Sequence, residues 1–253
     1  MSTVFDLRGR TVLVTGAGRG IGRALTLGAA ASGAMVGALD VDSALLQALM
    51  SDAGSQSQHI MPLHADVADR PAVMAAAKQL AAAMGRIDAI VNNAALIHYE
   101  PIEQVGEAML DRMLAIGIKG AVWGAQALLA HMDPARGAVL INMSSPVAER
   151  GFPGTSVYAM TKAAMASLTR TLAAELGPRG VRTCALAPGS VPTPGAVALT
   201  TPAEYQRRVA TIPLRRLGRE EDCTASLLFL LSSDAAFING AILHVDGGIL
   251  AAG

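Results

Sequence analysis

Short apolar runs alternate with helix-length segments along the whole of the 253-residue chain, and this alternation constrains the fold more than any other feature. Most of the apolar runs are continuous stretches of Val, Ile, Leu and Ala. Such runs are typical of parallel strands that are covered by helices on both faces. We therefore predict an α/β fold over residues 1–253, a single domain with a doubly wound, seven-stranded parallel sheet.

The predicted elements follow from these runs. Strands are expected at 11–14, 35–39, 60–63, 89–92, 138–143, 181–187 and 241–245, and helices near 21–32, 43–52, 70–84, 103–132, 156–177 and 220–232. The segment 188–213 is dense in proline and glycine and is predicted to be irregular. It is too long for an ordinary strand–helix connection and suits a lid or substrate loop.

Composition excludes several classes of function. Lys plus Arg and Asp plus Glu are equal at 20 each, so nothing indicates a nucleic acid or an anionic membrane as partner. No uninterrupted apolar run reaches the ~18–20 residues of a membrane span. Cys184 and Cys223 are expected to be buried thiols, and no metal site is predicted. The amino terminus lacks an apolar signal-peptide core, which predicts a cytoplasmic location.

A glycine-rich segment follows the first predicted strand and opens a helix, reading Gly16-Ala-Gly-Arg-Gly20-Ile-Gly22. Glycines at this place let the backbone approach a pyrophosphate, and the helix N-terminus supplies N–H donors and partial positive charge. The structural alternative is a tight turn with close helix packing. Because the segment is the first strand–helix turn of an α/β chain, we favour a dinucleotide site and a Rossmann fold.

Asp40 ends the second predicted strand and bears on the choice of dinucleotide. A carboxylate here binds both hydroxyls of the adenosine ribose and repels a 2′-phosphate, which favours NAD over NADP. Arg19 argues in the other direction, because a guanidinium near the ribose would accept a phosphate. Asp42, two residues on, is an alternative candidate. Because we give the carboxylate at the strand end more weight than Arg19, we predict NAD as the cofactor.

Three polar side chains, Ser145, Tyr158 and Lys162, indicate acid–base chemistry. Tyr158 and Lys162 are four residues apart, so on a helix they share one face. An ammonium close to a phenol is expected to lower the tyrosine pKa, which suits the phenol for proton transfer. Ser145 would hold the oxygen that gains or loses the proton. The alternatives are a core tyrosine, a solvated lysine and a serine cap.

These residues resemble the short-chain dehydrogenase/reductase family, and the resemblance runs nearly from end to end. Thr15–Gly22 looks like the glycine motif, and Asn92-Asn-Ala-Ala95 looks like the Asn-Asn-Ala-Gly strand. Val245-Asp-Gly-Gly248 looks like the tail signature. Ser145 and the Tyr158-x-x-x-Lys162 motif match the catalytic residues. The cofactor contacts that the resemblance implies come from Gly16, Arg19, Gly20, Ile21, Gly22, Asp40, Asp66, Val67, Asn93, Ala94, Tyr158, Lys162, Pro188, Gly189, Val191 and Thr193.

The resemblance also implies the reaction. Tyr158 would act as acid and base, Ser145 would orient the substrate oxygen, and Lys162 would bind the nicotinamide ribose and lower the tyrosine pKa. A hydride would move between the substrate carbon and the nicotinamide. The four-residue Tyr–Lys spacing argues against enoyl reductases, and Asp40 argues against the NADP-dependent ketoacyl-carrier reductases.

One position departs from the family pattern. Relatives carry an asparagine at a kink in the long central helix, where its main-chain carbonyl holds a water that links the lysine to solvent. Here the stretch reads Ala115-Ile-Gly-Ile-Lys-Gly120, with Gly117 in that place. Glycine keeps the carbonyl and tolerates a kink, but it lacks the side-chain amide. We expect activity to survive this change.

The substrate prediction is a secondary alcohol or ketone, which includes sugars, sugar acids, polyols, and cyclic or aryl alcohols. His98 and Arg150 are polar candidates near a mostly apolar pocket. The alternatives to an NAD-dependent oxidoreductase are a weakened dinucleotide-binding sensor or scaffold and a lyase or epimerase that uses the same tyrosine. A homotetramer is expected from the resemblance. The predicted pocket wall consists of Ala95, Leu96, Ile97, Pro146, Val147, Phe152, Val157, Ser190 and Val191.

Overall fold

The computed structural model describes residues 5–197 and 200–252. Seven strands lie in this part of the chain, and each predicted strand is present, some with one residue more or less at an end. They are β1 (Thr11–Thr15), β2 (Met35–Asp40), β3 (Ile60–His64), β4 (Ala89–Asn92), β5 (Ala138–Met143), β6 (Val181–Pro188) and β7 (Ile242–Val245).

Nine α-helices lie between or after these strands in the described part of the chain. Some of their N-termini are set by familiar local signals, such as Asp69, whose side chain caps the helix that has Pro71 in its first turn. The helices are α1 (Gly20–Ala31), α2 (Ser43–Asp52), α3 (Arg70–Met84), α4 (Glu107–Leu114), α5 (Gly120–His131), α6 (Ser156–Leu176), α7 (Pro194–Val197), α8 (Pro202–Thr211) and α9 (Glu220–Leu231).

The strands form one parallel sheet in the order β3-β2-β1-β4-β5-β6-β7. One apolar layer joins the sheet to α1, α2 and α9, and the other joins it to α3, α5 and α6. The predicted Rossmann fold is confirmed. The strand order reverses between β1 and β4, and ligands of such sheets bind outside the carboxyl ends of the strands at this point.

The long central helix is continuous from Glu107 to His131, with a π-helical turn at Ala115–Lys119 that joins α4 to α5. By length and composition alone this helix could cross a membrane. One side of α5 is, however, packed into the core through Ala121, Ala125 and Leu128. This packing is typical of a core helix of an α/β fold.

The segment 188–213 is more regular than predicted, because α7 and α8 lie within it. Thr201 caps α8 by accepting a hydrogen bond from the Glu204 N–H at 3.2 Å, and Pro202 occupies the first turn. Residues 198 and 199 lie outside the described residues. The two helices thus lie in the segment after β6 that was predicted to be a lid or substrate loop.

Candidate active site

The glycine-rich turn lies at the carboxyl end of β1 and leads into α1. Gly16 and Gly20 have positive φ angles of 65° and 59°, which a side chain would strain. Arg19 is the N-cap of α1 but makes no side-chain cap bond, and the first turn contains no acidic residue. The first N–H groups of α1 are therefore left without a side-chain cap, as a phosphate-binding helix end requires.

Asn93 holds the glycine turn against the end of β4. Its side-chain amide donates to the main-chain oxygens of Thr15 and Gly16 at 2.9 and 3.1 Å. The Thr15 hydroxyl accepts from the N–H groups of Asn93 and Ala94. A Cβ on Gly16 would lie 2.9 Å from the Ala94 Cα, so this close approach requires glycine.

Asp40 lies at the carboxyl end of β2 and is nearly buried. Its carboxylate accepts hydrogen bonds from the N–H of Gly18 at 2.8 Å and from the N–H of Asp42 at 3.0 Å. Each carboxylate oxygen has further lone pairs, so these bonds leave acceptor capacity for hydroxyl groups. Asp42 instead caps α2 through Ala44 and Leu45. The structure thus separates the two acids into a site residue and a helix cap.

The loop after β6 faces the glycine turn. A Cβ on Gly20 would lie 3.2 Å from the Thr193 Cβ, so these two predicted cofactor residues are neighbours. Gly189 packs against Asp246 of the tail motif and donates to the Val245 carbonyl. The Asp246 carboxylate in turn accepts from the N–H groups of Gly248 and Leu250. The tail motif therefore supports the loop that carries Pro188, Gly189, Val191 and Thr193.

Other predicted cofactor residues also lie along this edge. Asp66 and Val67 follow β3, and the Asp66 carboxylate pairs with Arg112 at 2.7 Å. Burial raises the pKa of Asp66, but the Ala68 N–H and Arg112 outweigh it and hold the pKa below its usual value. Ile21 and Gly22 lie in the first turn of α1. The fold thus brings the predicted cofactor residues to one edge of the sheet.

Ser145, Tyr158 and Lys162 meet beside this edge. Ser145 lies in the loop directly after β5. Its hydroxyl accepts a weak hydrogen bond from the Val147 N–H at 3.5 Å, so Ser145 caps the 3₁₀ turn Pro146–Ala148. Tyr158 and Lys162 lie one turn apart on α6, and the Lys162 Nζ lies 5.5 Å from the centre of the Tyr158 ring. The shared face predicted from their spacing is present.

The predicted lowering of the tyrosine pKa is wrong for the cofactor-free chain. Burial raises the pKa of Tyr158 well above its usual value, and the nearby Tyr99 adds to the rise. A hydrogen bond with Ser145 opposes it. The Lys162 ammonium, 5.5 Å from the ring centre, donates to the Met143 carbonyl at 2.9 Å and does not offset the effect of burial. Tyr158 therefore holds its proton in the cofactor-free chain.

Lys162 is itself buried, at 6% exposure, and burial lowers its pKa to about 8. The Ser144 hydroxyl donates to the Lys162 carbonyl at 2.9 Å and fixes this part of α6 to the end of β5. An amine with a pKa of about 8 exchanges its proton near neutral pH. Lys162 can therefore pass protons as well as hold charge.

This pKa predicts how stability depends on pH. The pKa of Lys162 is about 8 in the folded chain and 10.5 in an ordinary environment, so the unfolded chain binds more protons between these values. Native stability relative to Lys162→Met should rise by roughly 3 kcal/mol from pH 8 to pH 10.5 and stay level below pH 8. Urea unfolding of both cofactor-free proteins measures this difference. A level difference up to pH 10.5 would contradict the lowered pKa.

Gly117 lies within the π-helical turn, where the Gly120 N–H donates to the Ala115 carbonyl five residues earlier. The central helix thus carries a π-bulge where relatives have the kink, and π-bulges are a common cause of kinks. A Cβ on Gly117 would lie 3.2 Å from the Thr161 Cβ, one residue before Lys162. A small cavity of about 10 Å³, bordered by Gly117, Lys162 and Asn92, has room for about one water.

Two buried amides behind the site were not predicted as functional. The Asn92 side-chain amide donates to the Asn142 Oδ1 at 2.9 Å and to the Ala121 carbonyl at 3.2 Å. Asn142 donates to the Thr169 hydroxyl at 2.9 Å. This network joins β4, β5, α5 and α6 behind the candidate catalytic residues. Asparagines inside otherwise apolar strands are the signal that could have revealed it.

Sequence reasoning also missed Tyr99, which lies beside Tyr158. The Tyr99 ring meets the Tyr158 ring edge-on, with centres 5.7 Å apart.

Arg150, a predicted polar candidate, donates to the Ile249 carbonyl and lies over the Phe152 ring. His98 pairs with Glu100 at 3.3 Å. Of the predicted pocket wall, Pro146, Val157 and Val191 are buried and Ala95 is exposed.

Comparisons with known proteins agree with this geometry. A family model described as enoyl-(acyl carrier protein) reductase matches residues 16–250. A 3-oxoacyl-[acyl-carrier-protein] reductase of Thermotoga maritima is 33% identical over 244 residues, covering 96% of this chain and 99% of the relative. The L-xylulose reductase of Bos taurus is 36% identical over 251 residues, covering 97% and 99%.

A solved structure is also similar. The 3-ketoacyl-(acyl-carrier-protein) reductase of Brucella melitensis, complexed with NADH, has a TM-score of 0.91 and 30% identity, covering 97% of this chain and 100% of that one. That ketoacyl reductase was solved with NADH, so the prediction that Asp40 argues against the NADP-dependent ketoacyl reductases is not tested by it and stays a prediction.

Fold and site together define a dinucleotide-dependent class of oxidoreductase built on a doubly wound parallel sheet. Within that class, the chain belongs to the short-chain dehydrogenase/reductase family.

Proposed function

We propose that this protein is an NAD-dependent oxidoreductase that interconverts a secondary alcohol and a ketone. The observation that carries the proposal is the meeting of Ser145, Tyr158 and Lys162 beside the glycine turn at the switch point of the sheet. Bound nicotinamide would supply the hydride chemistry. Ser145 orients the substrate oxygen, Tyr158 gives or takes its proton, and Lys162 binds ribose hydroxyls and exchanges protons toward the cavity beside Gly117.

The choice of NAD rests on the surroundings of Asp40 and Arg19. Asp40 is directly followed by the exposed Val41, so its neighbour in the chain offers no positive charge to a 2′-phosphate. The Arg19 guanidinium lies 4.0 Å from a Cβ placed on Gly195, so this side chain is directed toward α7. A carboxylate without a neighbouring cation selects the ribose hydroxyls.

The test is turnover of a panel of secondary alcohols and polyols with NAD and NADP, followed at 340 nm. We expect NADH to form in a one-to-one ratio with a ketone product. Tight NADH binding without turnover of any substrate would favour a dinucleotide-binding sensor. Product without net NADH would favour a lyase or epimerase.

Replacing Gly117 tests whether the departure from the family pattern weakens the enzyme. Asn restores the family side chain, and Ala, the matched control, adds only the Cβ that meets Thr161. One supporting hydrogen bond is worth about 1 kcal/mol, or about three- to tenfold in rate. We expect kcat of Gly117→Asn to stay within about tenfold of the native value. A rise of several hundredfold would show that the natural site is crippled.

We also propose a cytoplasmic homotetramer. The strand β7 pairs with β6 and has no second partner among the described residues, and Met160 on α6 and Phe237 before β7 are exposed apolar side chains on this side. An uncovered edge strand beside apolar side chains favours association. Light scattering at micromolar concentration should give four chains, and a mass of one chain would refute the proposal.

A further inference from the structure

The three tyrosines of the chain converge on the active site. The Tyr99 ring contacts Tyr158, and Tyr205 on α8 lies close enough to Tyr99 to help raise its pKa, although burial is the larger cause. The Tyr205 hydroxyl is buried and has no hydrogen-bond partner within residues 5–197 and 200–252. A buried hydroxyl without a partner is costly, so it indicates a group that binds there.

Arg208 lies beside the Tyr205 ring, one turn further along α8. Its Cζ is 5.8 Å from the centre of the Tyr205 ring, and its side chain is 30% exposed. The Arg208 charge also acts on Tyr99, where it opposes the rise in pKa that burial causes. The Arg208 charge therefore acts on the ring that touches Tyr158.

The charge of Arg208 is only weakly balanced. Its Nε donates to Glu204 at 3.5 Å, but Glu204 pairs more closely with Arg207, at 2.7 Å. The two terminal nitrogens of Arg208 have no hydrogen-bond partner in the part of the chain that the structure describes. They are free to donate to a ligand. A guanidinium and a phenolic hydroxyl, one turn apart on the same helix, supply the donors that the oxygens of a carboxylate require.

We propose that the substrate is a hydroxy acid or keto acid, and that Arg208 and the Tyr205 hydroxyl bind its carboxylate. The inference rests on the proposed function, because Tyr158 marks where the reacting oxygen lies. The carboxylate end then lies under α8, and the reacting carbon lies at Tyr158. Arg150 does not serve this purpose, because it is held by the Ile249 carbonyl and the Phe152 ring.

Matched substrate pairs test the assignment on the native enzyme. 3-Hydroxybutyrate is compared with 3-hydroxybutyramide, and gluconate with glucitol, each with NAD in excess. The neutral analogue loses the charge-assisted bond of the carboxylate. For the pair whose acid is turned over better, we therefore expect kcat/KM of the acid to be about 10- to 100-fold above that of its neutral analogue. The difference should lie mainly in KM, because the contact is distant from the reacting carbon.

Variants then assign the preference to residues. Arg208→Met should reduce the acid-to-neutral ratio to about one, and Arg208→Lys should restore part of it. Arg179→Met removes an equal charge at the opposite, amino-terminal end of β6 and should leave the ratio unchanged. Tyr205→Phe should raise KM for the acid about three- to tenfold without lowering Tm, because it removes a hydroxyl that is unpartnered without substrate.

The outcomes separate this inference from the proposed function. Equal turnover of acids and neutral partners by the native enzyme would overturn the carboxylate site and leave the oxidoreductase function standing. An acid preference that survives in Arg208→Met would also overturn it. Absence of turnover with every alcohol and ketone, acidic or neutral, would overturn the proposed function itself.

Discussion

Replacing Tyr158 by Phe is expected to lower kcat on the order of 10³-fold, because the change removes the proposed proton donor and little else. The ring can keep its edge contact with Tyr99, and the loss of a single oxygen leaves the backbone bond from the Thr161 hydroxyl in place. Binding of NADH, measured by fluorescence titration, should change by less than about threefold. The loss therefore appears in the chemical step.

Tyr99→Phe is the comparison for this variant. It removes the same hydroxyl oxygen from the neighbouring ring, which packs against Tyr158 but has no proposed role in proton transfer. We expect its kcat to fall by less than about tenfold. Single-turnover measurements with a good substrate check both variants. If Tyr158→Phe keeps kcat within tenfold of the native value, the acid–base role of the phenol is wrong.

Replacing Asp40 by Asn is expected to lower the preference for NAD over NADP, as a ratio of kcat/KM values, on the order of 10²-fold. A carboxylate and a 2′-phosphate repel by several kcal/mol at close range in a protein environment, and the neutral amide removes this repulsion. Asn also keeps an oxygen that can accept the Gly18 N–H, which Asp40 accepts at 2.8 Å. The glycine turn should therefore keep its shape.

Asp42→Asn is the matched control, two residues further on. Asp42 caps α2, and Asn is an equally good cap, so neither the cofactor ratio nor the Tm should change by much. Steady-state kinetics with both cofactors give the ratios. An unchanged ratio in Asp40→Asn would show that another part of the site selects the cofactor.

Local patterns allowed much of the fold to be predicted. The seven strands are continuous apolar runs, and their ends differ from the prediction by one residue at most. Tyr158 and Lys162 lie together because helix periodicity alone brings residues four apart to one face. The prediction failed at α8, where Thr201, Pro202 and Glu204 form a recognisable helix start. The surrounding prolines and glycines had suggested an irregular loop.

Electrostatics and long-range contacts could not be predicted in this way. Whether Lys162 lowers the pKa of Tyr158 depends on burial and on the Met143 carbonyl, which lies on another element. The meeting of Tyr99, Tyr205 and Arg208 joins segments more than a hundred residues apart. The space beside Gly117 likewise depends on how the central helix packs against α6.

The sequence by itself determined the alternating fold, the glycine turn, Asp40 at the end of its strand and the candidate catalytic residues. Each of these can be predicted from short-range periodicity or from a motif of a few neighbouring residues. Only the tertiary structure decided that burial raises the pKa of Tyr158, that burial lowers the pKa of Lys162 to about 8, and that a cation lies beside the ring of Tyr205. The reason is physical, since desolvation and charge pairing depend on which distant segments come into contact.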